Sequence, residues 1–403
     1  MATIEASSGS SQNALLRAWN NKEARGVIIQ IVTMAVVFGI GAYLVRNAVV
    51  NLDALGKGIQ FEFLGDTASY DIGFSPFLDF TSRDTHFLAG LVGLLNTLLV
   101  AVCGIILATV VGFIVGVLRL SKNLLMNRIS YCYVELIRNV PVLLWILLVH
   151  GFIISNLPQP RDFRGTDGLE ESIFFLTNRG FYVPSPEFQP LAWAAFAALI
   201  GGIVGAYLYA KRAKKVQEET GKISPVLFVS LGLIIGLPIV VFIVTGLPWE
   251  WSYPELKGFN FQGGVALKPE FLALWLALSL YTSSFIAEIV RGGIQAVSHG
   301  QTEAAHALGL RNNRTLQLVI IPQALRVIIP PLTSQYLNLT KNSSLAIAVG
   351  YYDLVATMGG ITMNQTGREM ECMSIILLIY LAISLSISAF MNWYNQRIKL
   401  VER

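Results

Sequence analysis

Long apolar runs separated by short polar segments organise this chain. A helix needs about 20 apolar residues to cross a hydrocarbon core. Eight runs meet that need, at residues 27–49, 88–118, 131–155, 191–210, 225–246, 271–294, 327–350 and 373–394. The second is long enough to tilt or to extend beyond the bilayer. The seventh holds Pro330, Pro331 and Lys341, and a proline pair there predicts a kink or a break. The pattern predicts an all-α integral membrane protein of about eight transmembrane helices.

Composition sharpens that picture. Apolar residues make up 54% of the 403 residues and charged residues only 13%, against about 25% charged in a soluble domain. So little charge excludes a disordered chain, a nucleic-acid-binding module and a soluble enzyme. The net charge of +4 says little about partners, but the placement of the charges says more. With the N-terminus inside, Arg17, Lys22, Arg25, Arg119, Lys122, Arg128, Lys211, Arg212, Lys214, Lys215, Lys222, Arg397, Lys399 and Arg403 all fall in cytosolic segments, while most acidic residues fall outside. This follows the positive-inside rule and puts both termini in the cytosol. Three cysteines and four histidines show no CxxC or other ligand spacing, so neither a disulfide framework nor a metal site is expected. The Ser-rich N-terminus has no cleavable signal pattern.

The outer segments differ in kind. Residues 51–87 are acidic, 156–190 are Pro-rich, and 247–270 carry Trp249 and Trp251, which suit an outer aromatic belt. Each reads equally as a plain connection or a contact surface.

One cytosolic stretch has unusual chemistry: Gln301-Thr302-Glu303-Ala304-Ala305-His306-Ala307-Leu308-Gly309. It predicts a short helix with Thr302 as N-cap and Glu303 against the positive end of the helix dipole. The alanines keep one face smooth, and Gly309 can take the left-handed conformation that ends a helix. Asn312 or Asn313 is predicted to cap a second helix leading to Pro322. Two readings stand: a rigid lever that fits a pocket on another protein, or an amphipathic connector lying on the membrane.

These residues resemble the EAA loop of the membrane subunits of bacterial ABC importers, through Glu303-Ala304-Ala305, Gly309 and Pro322. The likeness extends to the polar amino acid branch of that family. It is carried by Gly93-Leu94-Leu95-Asn96-Thr97, by Tyr133, Glu135, Arg138 and Pro141, by Ala287-Glu288 with Arg291-Gly292-Gly293, and by Lys341-Asn342-Ser343-Ser344. The resemblance implies a five-span permease core, in two parts at 88–155 and 271–403, the second holding a coupling loop at about 297–326. Residues 1–87 then form a tail, one extra span and an outer loop, and 156–270 an insertion with two more spans. That enlarged layout is similar to a paired permease subunit of general L-amino acid importers. It implies no cofactor on this chain, with ATP and Mg on partner ATPase domains. It also implies a second permease subunit, a heterodimer more than a homodimer, and an external solute-binding protein. The substrate would be an amino acid, the solvent membrane lipid, and nucleic acid no partner. Thr302, Glu303, Ala304, Ala305, Gly309 and Pro322 are the coupling candidates. The chain lacks a phosphate-cradling GxxxxGK[ST] loop, so any ATP-driven step belongs to another polypeptide. A self-contained ion-coupled transporter or channel is the competing class.

Ionisable groups within spans cost about 2.5 to 3.5 kcal/mol on insertion scales, so each needs a reason. Glu135 and Arg138, and again Glu288 and Arg291, are spaced to share a helix face. Each pair is either self-neutralising or an inner gate. Lys341 lies about 22 Å beyond Arg326 along an ideal helix. There Lys341, Asn342, Ser343 and Ser344 either line a substrate cavity or bond to neighbouring helices. Asn96, Thr97, Ser283 and Ser284 are further pathway candidates of the same kind, with helix packing the competing role.

Overall fold

In the computed structural model, residues 21–54, 58–164, 173–221, 224–246 and 249–398 are described, together with Trp19. Arg17, Lys222, Lys399 and Arg403, whose charges help orient the chain, lie outside them. The spans are α1 (Lys22–Ala54), α2 (His86–Leu118), the pair α3 (Leu124–Arg138) and α4 (Val142–Asn156), α5 (Ala192–Thr220), α6 (Val226–Val244), α7 (Pro269–Gln295), then α8 (His299–Ala307) on the loop, α9 (Leu316–Val349) and α10 (Glu369–Ile398). Seven of these helices are long and apolar enough to cross a membrane, or eight when α3 and α4 count as one span.

The third apolar run, 131–155, is therefore not one straight helix. It breaks between α3 and α4 with a bend of 102°. Pro141 sits at the break with φ −56° and ψ 137°, and proline pushes the residue before it out of helical conformation. The Trp145 indole donates to the Ile137 carbonyl at 3.2 Å and so bridges the two arms.

The opposite happens in α9. The expected break at Pro330-Pro331 is absent, and Ile321–Asn342 runs as a single helix through both prolines. Buried Ile328, Ile329 and Leu332 clamp this stretch against α7, and a packed span tolerates the lost hydrogen bonds. The chain changes conformation later, tightening to a 3-10 helix at Ser343–Val349 that ends on Gly350 at φ 77°.

The hub is α7, with α2, α3, α4 and α9 packed on it. Its side chains Leu274, Leu278, Ile286 and Val290 are essentially unexposed. Lipid is as apolar as leucine, so such contacts rest on close packing of small residues. On α2, Gly104, Ala108, Gly112 and Gly116 recur every fourth position. A Cβ added at Gly112 would lie 2.6 Å from Ile286 Cβ and 3.0 Å from the Ser283 carbonyl. We expect Gly112→Leu to lower the thermal midpoint sharply and to reduce membrane-inserted yield, because backbone cannot recede as a side-chain tip can. An unchanged melting profile would show that α2 is free to shift.

The outer segments, expected as loops, contain seven short strands among the described residues: β1 (Phe175–Thr177), β2 (Gly180–Val183), β3 (Ser185–Phe188), β4 (Trp249–Ser252), β5 (Glu255–Lys257), β6 (Asn260–Gln262) and β7 (Val265–Leu267). They pair antiparallel as β1-β2-β7, β3-β4 and β5-β6. Two of these pairings join residues before α5 to residues after α6, with Phe181 opposite Leu267 and Ser185 opposite Ser252. The α5–α6 hairpin is thus an insertion zipped shut at its outer base. Phe163, Phe175, Tyr182 and Phe261 form a small core under the strands, with Phe175 stacked on Phe261 at 4.3 Å.

Candidate coupling loop and translocation pathway

The EAA-like segment forms α8, a nine-residue helix. It starts at His299 with Ser298 in the cap position and no side-chain cap bond, so Thr302 lies inside the helix and is not its cap. Glu303 is exposed and its carboxylate meets His299 Nδ1 at 3.0 Å. The C-terminus follows expectation. Gly309 has φ +79°, its N–H donates to the His306 carbonyl at 2.9 Å, and the Leu310 N–H donates to the Ala305 carbonyl at 3.1 Å. This double reverse bond closes the helix and turns the chain in a fixed direction.

The two alanines part company. Ala305 is 3% exposed, facing inward on the side where α8 meets the start of α9, whereas Ala304 is exposed. Only Ala304 is left to approach a partner, so the expectation that both serve that purpose is corrected. A short helix begins at Asn312 rather than near Arg314; the side chains of Asn312 and Asn313 lie outside the described residues. Pro322 is half-buried in the first turn of Ile321–Asn342. The Gln323 amide donates to the Gln301 side-chain oxygen at 3.1 Å, so α8 is tied directly to the span that follows.

Of the two spaced charge pairs, the structure forms one. Glu288 pairs with Arg291, whose Nε lies 3.1 Å from the carboxylate, and also with Arg119 from the end of α2. Glu135 and Arg138 do not pair: Asn139 reaches Glu135 at 3.5 Å, and the Arg138 guanidinium lies 4.9 Å above the Phe285 ring. Glu135 sits a turn before the helix break, and Arg138 is the last residue of α3, so its side chain turns to α7 instead. The Arg119–Glu288 link ties the C-terminal end of α2 to the C-terminal part of α7. Arg119 was legible only as a cytosolic positive charge, since nothing in a sequence shows which distant carboxylate it meets. We expect Glu288→Arg to cut both thermal stability and uptake, and Arg119→Glu added to it to restore part of the stability. Additive losses in the double variant would exclude a direct pair.

The pathway candidates fall into two sets. Asn96, Thr97, Ser283 and Ser284 are wholly buried and bonded within the chain. The Asn96 amide donates to the carbonyls of Phe74 and Tyr352 at 2.8 Å each. Thr97 Oγ1 accepts from the Leu354 N–H at 3.0 Å. Ser283 meets the Tyr133 hydroxyl at 2.6 Å, and Ser284 donates to the Tyr281 carbonyl at 2.6 Å. In the second set, Ser343 is buried and Ser344 donates to the Lys341 carbonyl at 2.8 Å. Lys341 is exposed and Asn342 half-buried, and neither side chain has a hydrogen bond or ion pair among the described residues.

Two residues that the sequence did not mark out join these sets. Asp353, by its position one of the outer acids, is fully buried. Its carboxylate accepts from the Ala356 N–H at 2.8 Å and from the Tyr380 hydroxyl at 3.3 Å. Tyr380 also meets Ser343 at 3.3 Å. These bonds tie the segment after α9 to α10, while Asn96 and Thr97 hold it against α2; Gly93 gives it room there, since a Cβ would meet Thr357 Oγ1. An acid flanked by apolar residues in a polar-looking link was the available signal.

The fold is a helical membrane bundle with a short Gly-ended helix between two of its spans, the second of which carries exposed Lys341. A family model described as "Binding-protein-dependent transport system inner membrane component" matches residues 220–400. The general L-amino acid transport system permease protein AapQ of Rhizobium johnstonii is 47% identical, over 94% of this chain and 93% of its own length. The glutamate/glutamine/aspartate/asparagine transport system permease protein BztB of Rhodobacter capsulatus is 50% identical, over 94% and 95%. The putative amino-acid ABC transporter permease protein YhdX of Escherichia coli is 46% identical, over 97% and 96%. The chain belongs to the family of amino acid ABC transporter permeases, and it is a multi-pass membrane protein.

Proposed function

We propose that this chain is one of two membrane subunits through which amino acids enter the cytosol, driven by ATP hydrolysis on separate ATPase subunits. The observation that carries this is the exposed Lys341 with Asn342 beside it, deep in α9, on a span tied through Gln323 and Gln301 to α8. A bare ammonium within a bilayer is costly, so this face needs a covering surface and a polar ligand. A second permease subunit supplies the cover; between the two, Lys341 attracts a substrate carboxylate and Asn342 hydrogen-bonds it.

In this reading two cytosolic ATPase domains, holding ATP and Mg, grip α8 at Ala304 and Glu303. Their closure moves α8, and α9 with it, switching access across the membrane. The placement is the bacterial inner membrane with both termini cytosolic, and an external solute-binding protein delivers the amino acid to the outer face. In this reading the second permease is a related but different chain, a heterodimer rather than a homodimer. The test is reconstitution with a second permease, ATPase and binding protein in proteoliposomes. Uptake that requires ATP is expected. Uptake by this chain alone on an ion gradient would overturn the proposal.

A further inference from the structure

A second polar cavity lies outside the pathway described above. It has a volume of about 430 Å³ and is lined by Glu62, Asp66, Ser69, His86 and Arg368, among others. These come from the outer segment before α2, the first residue of α2 and the turn before α10. That size matches small-molecule sites in general.

The cavity is built rather than a gap between loose loops. The Arg368 guanidinium donates to the Gly58 carbonyl at 2.9 Å, and the Gln60 N–H donates to Glu371 at 3.0 Å. The Ala68 and Ser69 N–H groups donate to the carbonyls of Asp84 and Ser82 at 2.7 and 2.9 Å, and the His86 N–H donates to the Asp66 carbonyl at 3.1 Å. Ser69 is the one non-glycine residue with positive φ among those described, at 58°. Such a conformation persists only where its surroundings enforce it.

Its charges are arranged in two kinds. Glu62 and Asp66 make no ion pair among the described residues. Opposite in sign stands Arg368, half-buried in the cavity wall and also paired with buried Glu371 at 3.5 Å; the start of α2 beside it is closed by Thr85, whose hydroxyl accepts from the Leu88 N–H. His86 is 4% exposed, and its Nδ1 is buried with no hydrogen-bond partner. That makes His86 an unpartnered polar group in the cavity wall.

We infer that this cavity is an outer subsite for a free α-amino acid zwitterion, its ammonium against Glu62 and Asp66 and its carboxylate toward His86 and Arg368. The subsite rests on the importer reading and would hold substrate on the outer side, before the Lys341 region.

The test is equilibrium binding of radiolabelled L-glutamine and L-glutamate to the purified transporter complex in nanodiscs, without binding protein. We expect saturable binding in two components, one at the Lys341 region and one at this cavity: Lys341→Met removes the first and leaves the second, which the isosteric pair Glu62→Gln with Asp66→Asn weakens at least tenfold. His86→Gln, which keeps a donor, should weaken it less. Absence of binding, or binding lost in Lys341→Met and kept in the carboxylate variant, overturns the subsite. So does unchanged amino acid binding with weaker docking of the loaded binding protein, which would make the cavity a protein contact. ATP-driven uptake in the same preparation reports on the importer reading separately.

Discussion

Replacing Lys341 by methionine should lower ATP-driven amino acid uptake at least tenfold while leaving insertion and assembly intact. The two side chains have similar length, so packing changes little. Lys341 is exposed on this chain at the end of a buried helical stretch, and no carboxylate pairs with it among the described residues. Its charge is thus carried at a net cost unless a ligand or partner answers it, and its removal should leave the isolated protein as stable or more so. A tenfold loss corresponds to about 1.4 kcal/mol of lost interaction, within reach of one charge-assisted hydrogen bond. Lys341→Arg keeps the charge and should retain part of the activity. Uptake kinetics in proteoliposomes, with melting curves of the same samples, decide the matter: unchanged uptake in the methionine variant removes Lys341 from the pathway.

The second large effect is expected at Gly309. Gly309→Asp should leave the protein inserted and ATP hydrolysis active in the complex, yet reduce uptake more than tenfold. Gly309 has φ +79° and open space where a Cβ would stand, so no clash disturbs the rest of the fold. The effect is confined to the turn. Aspartate, like asparagine, can enter the left-handed region at a cost over glycine, but its carboxylate at a helix C-terminus also opposes the dipole. Loss of the left-handed turn would release the bonds from Gly309 and Leu310 back to α8, and α8 would no longer deliver its displacement to α9. Gly309→Asn tolerates the conformation and adds no charge, so it should keep most of the coupling. Measuring ATP hydrolysis and uptake side by side separates uncoupling from misfolding. Tight coupling in Gly309→Asp would show that the turn does not transmit the motion.

Several features are readable in the sequence because each has a local cause. The spans announce themselves by composition, since backbone in hydrocarbon must satisfy itself within a helix and only apolar side chains tolerate lipid. The Gly309 turn follows from glycine's freedom at positive φ. Other features escape the sequence where the cause lies elsewhere in the chain. Pro330 and Pro331 do not break α9, because Ile328, Ile329 and Leu332 are held on α7. Pro141 does break its run by a bend of 102°, although α3 and α4 also pack on α7 on either side of it. The outer strands of three or four residues are too short to show alternation, and in two of their four pairings the partners lie some 60 to 90 residues apart in sequence, as Ser185 with Ser252 and Phe181 with Leu267 show. Ala304 and Ala305 look equivalent in sequence, yet one is exposed and the other sealed.

By itself the sequence determined that this protein lies in a membrane, roughly where it crosses, and that a stiff Gly-ended helix follows the sixth apolar run, because hydration, helix propensity and backbone sterics act on neighbours along the chain. Only the tertiary structure decided which charges meet, with Arg119 on Glu288 and Arg138 on Phe285, and which polar residues are used internally, with Asn96, Thr97 and Asp353 bracing the link after α9. Those outcomes depend on which groups a folded surface brings within about 4 Å of one another. A residue's own chemistry makes it eligible for such a contact, and packing selects the partner.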